Sequence, residues 1–183
     1  VWRSGPGRCL EHSAAIKEGL KAAAIEPAIE NSVELELDDR FAQVSESQWG
    51  GAKSTDRELR MIDAISEGLG QAMEAYPDLV LMGQDIAEYG GVFKVTDGFV
   101  KRFGKERVRN TPLCESAIVG AALGLSIAGK KSMMEMQFSD FVTVGFNQIV
   151  NNLAKIHWRW GQNADVVVRM PTGGNVGAGP FHS

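Results

Sequence analysis

The sequence predicts an α/β protein built on a parallel β-sheet, and the pattern of apolar residues carries that prediction. From about residue 56 onward, short apolar segments alternate with longer segments whose apolar residues recur at helical spacing. The short segments lack polar alternation, as expected of strands that are buried on both faces. Strands that alternate with helices favour parallel pairing through right-handed crossovers, with ligand sites at the carboxyl ends of the strands.

The individual elements follow one another in a regular order. The first helix is predicted to carry Ile62, Ile65, Leu69 and Met73 on one side, after a capping box formed by Thr55 and Glu58. Further helices are predicted near residues 99–103, from Glu115 to Gly129, and from Phe141 to Trp160. Strands are predicted at residues 79–84, 106–110, 132–138 and 165–171.

Residues 1–55 are more polar and less regularly patterned than the rest of the chain. Apolar residues at helical spacing predict a helix over residues 11–25, and the acidic run that follows is expected to be a solvated strip. Residues 40–55 mix Ser, Gly and Gln with little periodicity, as connecting segments do. The chain is therefore divided into a leader, residues 1–55, and one α/β domain, residues 56–183.

Composition and charge narrow the class of protein. The apolar fraction of 44% and the charged fraction of 23% are ordinary for soluble proteins, and no apolar run approaches the roughly 18 residues of a membrane-spanning helix. Charges near residue 1 occupy the place of a secretory signal's apolar stretch, so a cytoplasmic location is expected. A net charge of −4 without a basic cluster argues against nucleic-acid binding. Cys9 and Cys114 have no metal-ligand spacing, so no metal site is expected in this chain.

Glu115 lies at the junction between a predicted strand and a predicted helix of small residues. It closes the segment Thr111-Pro112-Leu113-Cys114-Glu115 and is followed by Gly120 and Gly124. A carboxylate at a helix start interacts with the helix dipole, which contributes roughly 0.3 to 1 kcal/mol when the site is exposed. The local sequence alone does not favour a chemical role over this structural one.

Several separated segments resemble the β component of 2-oxo acid dehydrogenases, enzymes that use thiamin diphosphate. The segments are LMGQDIAEYGGVFKVTDGF, TPLCESAIVGAALGLSIAG, MEMQFSDF, NQIVNNLAK and GPFHS, in that order, and the resemblance covers about residues 57–183. It implies a three-layer pyrimidine-binding domain that grips the aminopyrimidine end of the cofactor. The leader resembles the tail of an α component fused ahead of the β component, and an unrelated extension is the alternative.

The resemblance also assigns roles to individual residues. The family glutamate that matches Glu115 bonds a pyrimidine ring nitrogen and drives the ring towards its imino tautomer. His182 matches a histidine credited with binding the oxo acid or assisting acyl transfer, and a plain loop histidine is the competing interpretation. Phe141 matches an aromatic residue that packs on the pyrimidine ring, although an aromatic at a helix start is also common in cores. Gln137 and Leu113 are expected to line the same pocket.

The remaining implications concern the metal, the reaction and the partners. The Gly-Asp-Gly motif that marks the magnesium-binding half in relatives does not occur, so Mg²⁺ and the pyrophosphate are expected to be held by another domain or chain. The implied reaction is oxidative decarboxylation of a 2-oxo acid, with acyl transfer to the lipoyl group of a partner acyltransferase. MEMQFSDF resembles the branched-chain type slightly more than the pyruvate type. The alternatives are a transketolase-like thiamin enzyme and a noncatalytic α/β binding module.

An oligomer is expected as well, either a homodimer of fused chains or an α2β2 assembly. Small residues on the helix after Glu115 allow close approach of another backbone; they are Gly120, Ala121, Ala122 and Gly124. Relatives use this region where pyrimidine domains meet, and ordinary internal packing is an equal alternative.

Overall fold

The chain divides into two compact units, residues 1–37 and 38–183. The computed structural model describes residues 6–28, 30, 32–40, 56–175, 177, 179, 180 and 182. Most of the predicted connecting segment, and Thr55 of the predicted capping box, lie outside these residues. The boundary between leader and domain at residue 55 therefore stays a prediction.

Two helices, α1 (Pro6–Ala24) and α2 (Val33–Arg40), occupy the described part of the leader. The predicted helix over residues 11–25 is confirmed within α1, where Ile16 and Leu20 are exposed. Glu30, Glu34, Glu36 and Asp38 of the acidic run are exposed as predicted, and the last three of them lie in α2. The hydroxyl oxygen of Ser32 accepts a hydrogen bond from a first-turn N–H of α2. Backbone hydrogen bonding, and then the Ser32 hydroxyl, lower the pKa of Glu34.

Four parallel strands form one sheet in the order β2-β1-β3-β4. Their bounds are β1 (Val80–Gly83), β2 (Val108–Asn110), β3 (Ser132–Glu135) and β4 (Val166–Arg169). In register, Leu81 lies opposite Val108 on β2 and Met133 on β3. From β1 the chain passes to β2 on one side and then to β3 on the other. The loops after β1 and β3 therefore diverge and open a crevice, here called the switch point, at the carboxyl ends of these strands.

Five helices accompany the sheet in the described part of the chain: α3 (Met61–Ala75), α4 (Phe99–Phe103), α5 (Glu115–Ile127), α6 (Val142–Asn151) and α7 (Ile156–Trp160). The prediction of one continuous helix from Phe141 to Trp160 is wrong. A short 3₁₀ turn, Ser139–Phe141, precedes α6, which ends at Asn151. A second 3₁₀ turn, Leu153–Lys155, precedes α7. Asparagine is a weak helix former because its side chain competes for hydrogen bonds, and two consecutive asparagines stand at this break.

The predicted capping box before α3 is also wrong. Glu58 precedes the helix, which begins at Met61 after the N-cap residue Arg60. The guanidinium of Arg60 bonds both carboxylate oxygens of Asp63 in the first turn, at 2.7 and 2.8 Å. This hydrogen bond lowers the pKa of Asp63. A first-turn carboxylate held in this way suits the positive end of the helix dipole.

Successive residues of the central strands point to opposite faces of the sheet. Leu81 and Met133 pack with α3 and α4 in one cluster that also contains Met73, Leu79, Ile86, Ala87, Phe99 and Val108. Met82 and Met134 pack with α5 in a second cluster that also contains Ile118, Val119, Ala122 and Met136. Because helices cover both faces, the predicted three-layer α/β arrangement is confirmed.

Gly145 lets α6 approach the first turn of α5 closely. A Cβ atom at this position would lie 3.0 Å from the methyl carbon of Met136 and 3.2 Å from a methyl carbon of Val119. It would also lie 3.5 Å from the carbonyl oxygen of Glu115. The position of α6 therefore depends on a residue without a side chain, directly beside the residue that opens α5.

Gly145→Val should reduce the free energy of unfolding by about 1 to 3 kcal/mol, because the new methyl groups overpack this crossing. Gly68→Ala on α3 is the matched control, since no atom outside its own helix lies within 4 Å of the added carbon in the described chain. That control should gain up to about 1 kcal/mol from helix propensity. Urea unfolding measures both variants, and equal stability of Gly145→Val and the parent protein would contradict the close approach.

Candidate functional site

Three polar side chains are buried around the switch point. Gln84 follows β1, Glu135 ends β3, and Glu115 opens α5 after β2. Their exposed fractions are 3%, 2% and 9%, respectively. A polar side chain this deeply buried costs free energy unless it is hydrogen-bonded or paired, so the contacts of these three residues define the site.

Glu115 receives a hydrogen bond from the end of the central strand. Nε2 of Gln84 donates to Oε1 of Glu115 at 3.1 Å, and both side chains are buried. Glu115 also occupies the first turn of α5, where the helix dipole favours negative charge. The sequence alone does not single out Gln84, although a polar residue that closes the apolar run LVLMGQ is a usable signal. Its partner lies 31 positions along the chain.

Glu135 is paired with the neighbouring strand. Nε of Arg169, which ends β4, donates to Oε2 of Glu135 at 3.0 Å, and the two side chains are 17% and 3% exposed. A Cβ atom at Gly91 would lie 3.4 Å from the other carboxylate oxygen, so the loop after β1 lies against this ion pair. The pair therefore joins β3, β4 and that loop.

The loop after β1 is fixed by its own hydrogen bonds and by a close contact. The N–H of Gly91 donates to the carbonyl of Asp85 at 2.8 Å, and the buried hydroxyl of Thr96 donates to a main-chain carbonyl at 2.6 Å. Gly90 has φ +81°, and a Cβ atom there would lie 2.7 Å from Cα of Asp97. Only glycine fits this position without strain.

Two of the predicted site residues, Leu113 and Glu115, line one surface groove. The groove lies between the start of α5 and α6, and its other lining residues are Cys114, Ser116, Ala117, Gly120, Val144 and Gln148. Leu113 and Val144 are largely exposed, at 78% and 58%. The groove thus combines apolar side chains with three residues that carry polar side chains, Glu115, Ser116 and Gln148.

The predicted residues Phe141 and His182 lie together in an aromatic cluster. The imidazole of His182 packs edge-to-face on Phe138 and on Phe141, with ring centroids 5.0 and 5.5 Å apart. Phe93 extends the cluster through Phe138, at 5.8 Å. His182 thus has specific ring contacts. The loop before it contains glycines with positive φ, among them Gly177.

Gln137, another predicted site residue, follows β3 and contacts Asp85, which follows β1, across the switch point. Its Nε2 donates to Oδ2 of Asp85 at 3.4 Å in an exposed, long hydrogen bond. Phe141 and Cys114, the residue before Glu115, pack against the same core cluster. The structure therefore groups Leu113 with Glu115, Phe141 with His182, and Gln137 with Asp85 around the carboxyl edge of the sheet. The roles of these residues towards a cofactor stay predictions.

Comparison with known proteins places the chain in a family. A sequence model named "Transketolase, pyrimidine binding domain" matches residues 57–183. The chain belongs to this family. The predicted fold class and the resemblance to thiamin-dependent β components are confirmed by this match together with the relatives below.

The pyrimidine-binding domain is similar to β subunits of 2-oxo acid dehydrogenases. The pyruvate dehydrogenase E1 component subunit beta of Leifsonia xyli is 44% identical over 126 residues, covering 68% of this chain and 37% of that protein. The 2-oxoisovalerate dehydrogenase subunit beta of Bacillus subtilis is 42% identical over 127 residues, covering 68% and 39%. The 3-methyl-2-oxobutanoate dehydrogenase subunit beta of Mycobacterium tuberculosis is 39% identical over 150 residues, covering 81% and 43%. The chain thus spans about two-fifths of the length of these relatives.

Two features, a cluster of metal-binding side chains and a membrane-spanning helix, do not occur in the described part of the pyrimidine-binding chain. Among the described residues, no group of three or more His, Cys, Asp and Glu side chains is arranged to hold a metal ion. In the same part of the chain, no helix combines the length and apolar character needed to cross a bilayer. The sulfur of Cys114 contacts the carbonyl oxygen of Pro112 at 3.4 Å.

Arg169→Met should destabilise the pyrimidine-binding domain by about 3 to 5 kcal/mol, because it leaves the charge of Glu135 buried without a partner. Lys131→Met is the matched control. Its ion pair with Asp165 is solvent-exposed, so its loss should cost less than about 1 kcal/mol. Urea unfolding compares the two variants, and equal small losses would show that Glu135 does not depend on Arg169.

Proposed function

We propose that this chain belongs to the thiamin-diphosphate-dependent, decarboxylating component of a 2-oxo acid dehydrogenase complex. The observation that carries the proposal is the buried carboxylate of Glu115, which opens α5, accepts a hydrogen bond from Gln84 and borders an apolar groove. Similarity to dehydrogenase β subunits supports the reaction class. The proposed substrate is a 2-oxo acid of the branched-chain or the pyruvate type, since relatives of both types match at 39% to 44% identity.

The residues of the groove fit the aminopyrimidine ring of the cofactor. Glu115 is proposed to offer its carboxylate to a ring nitrogen, and Leu113 and Val144, which line the same groove, to offer apolar contact. Phe141 is proposed to pack on the ring, and Gln137 to line the same pocket. When bound, thiamin diphosphate supplies a nucleophilic carbon and an electron sink for decarboxylation.

Two residues of this chain, Glu115 and His182, are proposed to act on protons and on the substrate. Glu115 holds a proton between its carboxyl and the ring nitrogen, which sets the ring tautomer, and burial strengthens this hydrogen bond by excluding water. The imidazole of His182 offers a hydrogen-bond donor and acceptor, and it is proposed to bind the oxo acid or to assist acyl transfer. The rings of Phe138 and Phe141 orient its imidazole.

Further groups are needed to complete the active site and the reaction. We assign the pyrophosphate and Mg²⁺ to a domain or chain outside this sequence, either an α component or a fused α domain whose tail is the leader, residues 1–55. The acyl group would pass to the lipoyl group of a partner acyltransferase in the cytoplasm. The relatives support a partner subunit because they are named as β subunits.

Glu115→Gln should lower the turnover number of the assembled enzyme by at least about 100-fold, in the range of a lost acid–base group. The thermal unfolding midpoint should stay unchanged because the substitution keeps the shape of the side chain. Reduction of lipoamide that depends on a 2-oxo acid measures turnover. Glu106→Gln, in an ion pair whose glutamate is 90% exposed, is the matched control and should leave turnover unchanged. Near-normal turnover of Glu115→Gln would overturn the proposal.

Lipoamide-dependent turnover and calorimetry with the cofactor separate the alternative functions. A transketolase-like enzyme would turn over without a lipoyl acceptor, whereas the proposed enzyme needs one. A noncatalytic module would show no heat when thiamin diphosphate and Mg²⁺ are titrated into the full-length protein. Heat of binding with lipoamide-dependent turnover is therefore the result expected for the proposed function.

The small residues of α5 do not share one environment. Ala122 is fully buried in the core and Gly120 faces Gln148, whereas Ala121 and Gly124 are exposed. Internal packing thus explains why small residues occupy positions 122 and 120. We assign the exposed pair to contact with a second pyrimidine-binding domain, in a homodimer of fused chains or an α2β2 assembly.

Gly124→Leu should therefore lower the oligomer fraction of the full-length protein without reducing the stability of the domain. Light scattering measures the mass, and thermal unfolding at low protein concentration measures the stability. Gly68→Leu on the exposed side of α3 is the matched control, because a Cβ atom there also meets nothing within 4 Å in the described chain. Identical masses for the two variants would refute this assignment.

A further inference from the structure

We infer that an apolar cavity beside Phe138, here called the Phe138 cavity, takes the aliphatic side chain of the 2-oxo acid and selects branched chains over short or charged ones. The inference rests on the proposed function, because it concerns the substrate of that reaction. It deepens that function by naming the residues of this chain that would select the substrate.

The Phe138 cavity lies between the start of α3, the loop after β1 and the segment after β4. Its volume is about 400 Å³, and its lining residues include Ile62, Ile65, Phe93, Val95, Phe138 and Arg169. The two isoleucines belong to α3 and are partly buried, whereas Val95 in the loop after β1 is fully buried. An apolar cavity of this size is large enough for a small aliphatic group.

The ring of Phe138 connects the cavity with His182. Phe138 and Phe93 both line the cavity, and their rings pack edge-to-face with centroids 5.8 Å apart. The ring of Phe138 also packs on the imidazole of His182, with centroids 5.0 Å apart. His182 is the residue proposed to bind the oxo acid, so only one aromatic side chain separates that group from the cavity. An oxo acid held at His182 can therefore extend its side chain past Phe138.

The charge of the cavity restricts the chemistry of its ligand. Among the described residues that line it, Arg169 alone is charged, and its guanidinium is paired with the buried carboxylate of Glu135. A second carboxylate on the ligand would lose its hydration here without gaining a free counter-ion. The group that enters the cavity is therefore uncharged and apolar, which excludes the side chain of a dicarboxylic oxo acid.

The size of the cavity favours a branched chain over a short one. A small apolar side chain would leave much of the lining without contacts, whereas an isopropyl group removes more apolar surface from water. One methylene group in an apolar pocket changes kcat/KM by roughly 10- to 200-fold. The competing explanation is that these residues only pack against another part of the assembled protein. In that case, changes in the cavity would affect all 2-oxo acids alike.

A change of cavity size in the assembled enzyme distinguishes these explanations. Ile65→Phe fills part of the cavity, and lipoamide reduction gives kcat/KM for 3-methyl-2-oxobutanoate, 2-oxobutanoate and 2-oxoglutarate. These acids carry a branched, a short unbranched and a charged side chain, respectively. Ile25→Phe is the matched control, with the same chemical change at a leader residue that is 86% exposed. Thermal unfolding checks that each variant is folded.

The parent enzyme should prefer 3-methyl-2-oxobutanoate to the other two acids by at least about 10-fold in kcat/KM. Ile65→Phe should lower kcat/KM for this acid by roughly 10- to 100-fold, but that for 2-oxobutanoate by less than about threefold, because a shorter side chain still fits. Ile25→Phe should change neither value. Ile65→Ala enlarges the cavity and should raise kcat/KM for the bulky phenylpyruvate, relative to 3-methyl-2-oxobutanoate, by at least about fivefold. The test therefore survives poor folding of Ile65→Phe.

The outcomes separate this inference from the proposed function. Lipoamide-dependent turnover that prefers 2-oxobutanoate or 2-oxoglutarate would overturn the role of the Phe138 cavity and leave the proposed function intact. Equal losses on the branched and the short acid in Ile65→Phe, or an unchanged preference in Ile65→Ala, would overturn that role as well. Absence of lipoamide-dependent turnover with every 2-oxo acid would instead overturn the proposed function, and this inference with it.

Discussion

The hydrogen bond between Gln84 and Glu115 ties the carboxyl end of β1 to the first turn of α5. Its importance follows from burial, because a buried carboxylate without a partner carries a desolvation penalty that the rest of a small domain can hardly offset. The bond forms because the strand order β2-β1-β3-β4 brings the loops after β1 and β2 to the same edge of the sheet. The site is thus a consequence of topology as much as of its individual residues.

The rest of the domain keeps the two ends of that bond in place. The core cluster around Ile118 and Val119 fixes α5 on one face of the sheet, and Gly145 allows α6 to pack against its first turn. The ion pair of Glu135 and Arg169 joins the carboxyl ends of β3 and β4 and lies against the loop that follows β1. Each contact restricts the position of a backbone segment, so the geometry of Glu115 depends on residues beyond its own hydrogen-bond partner.

The helix boundaries and the contacts of single side chains were the weakest part of the sequence-based predictions. Apolar periodicity continues from Phe141 to Trp160, yet the asparagines at 151 and 152 mark a break that periodicity does not detect. Likewise, Thr55 and Glu58 have the spacing of a capping box, but α3 begins later, where Arg60 and Asp63 pair. Local motifs compete with one another, and tertiary packing selects between them.

The sequence by itself determined the layered, parallel architecture and the placement of Glu115 at a strand-to-helix junction, because buried strands and amphipathic helices leave periodic signals in the chain. Only the tertiary structure decided that Gln84 is the partner of Glu115 and that His182 lies against Phe138 and Phe141. Such contacts join segments that are tens of residues apart. Their partners are fixed by the order and register of the strands, which no local pattern of residues encodes.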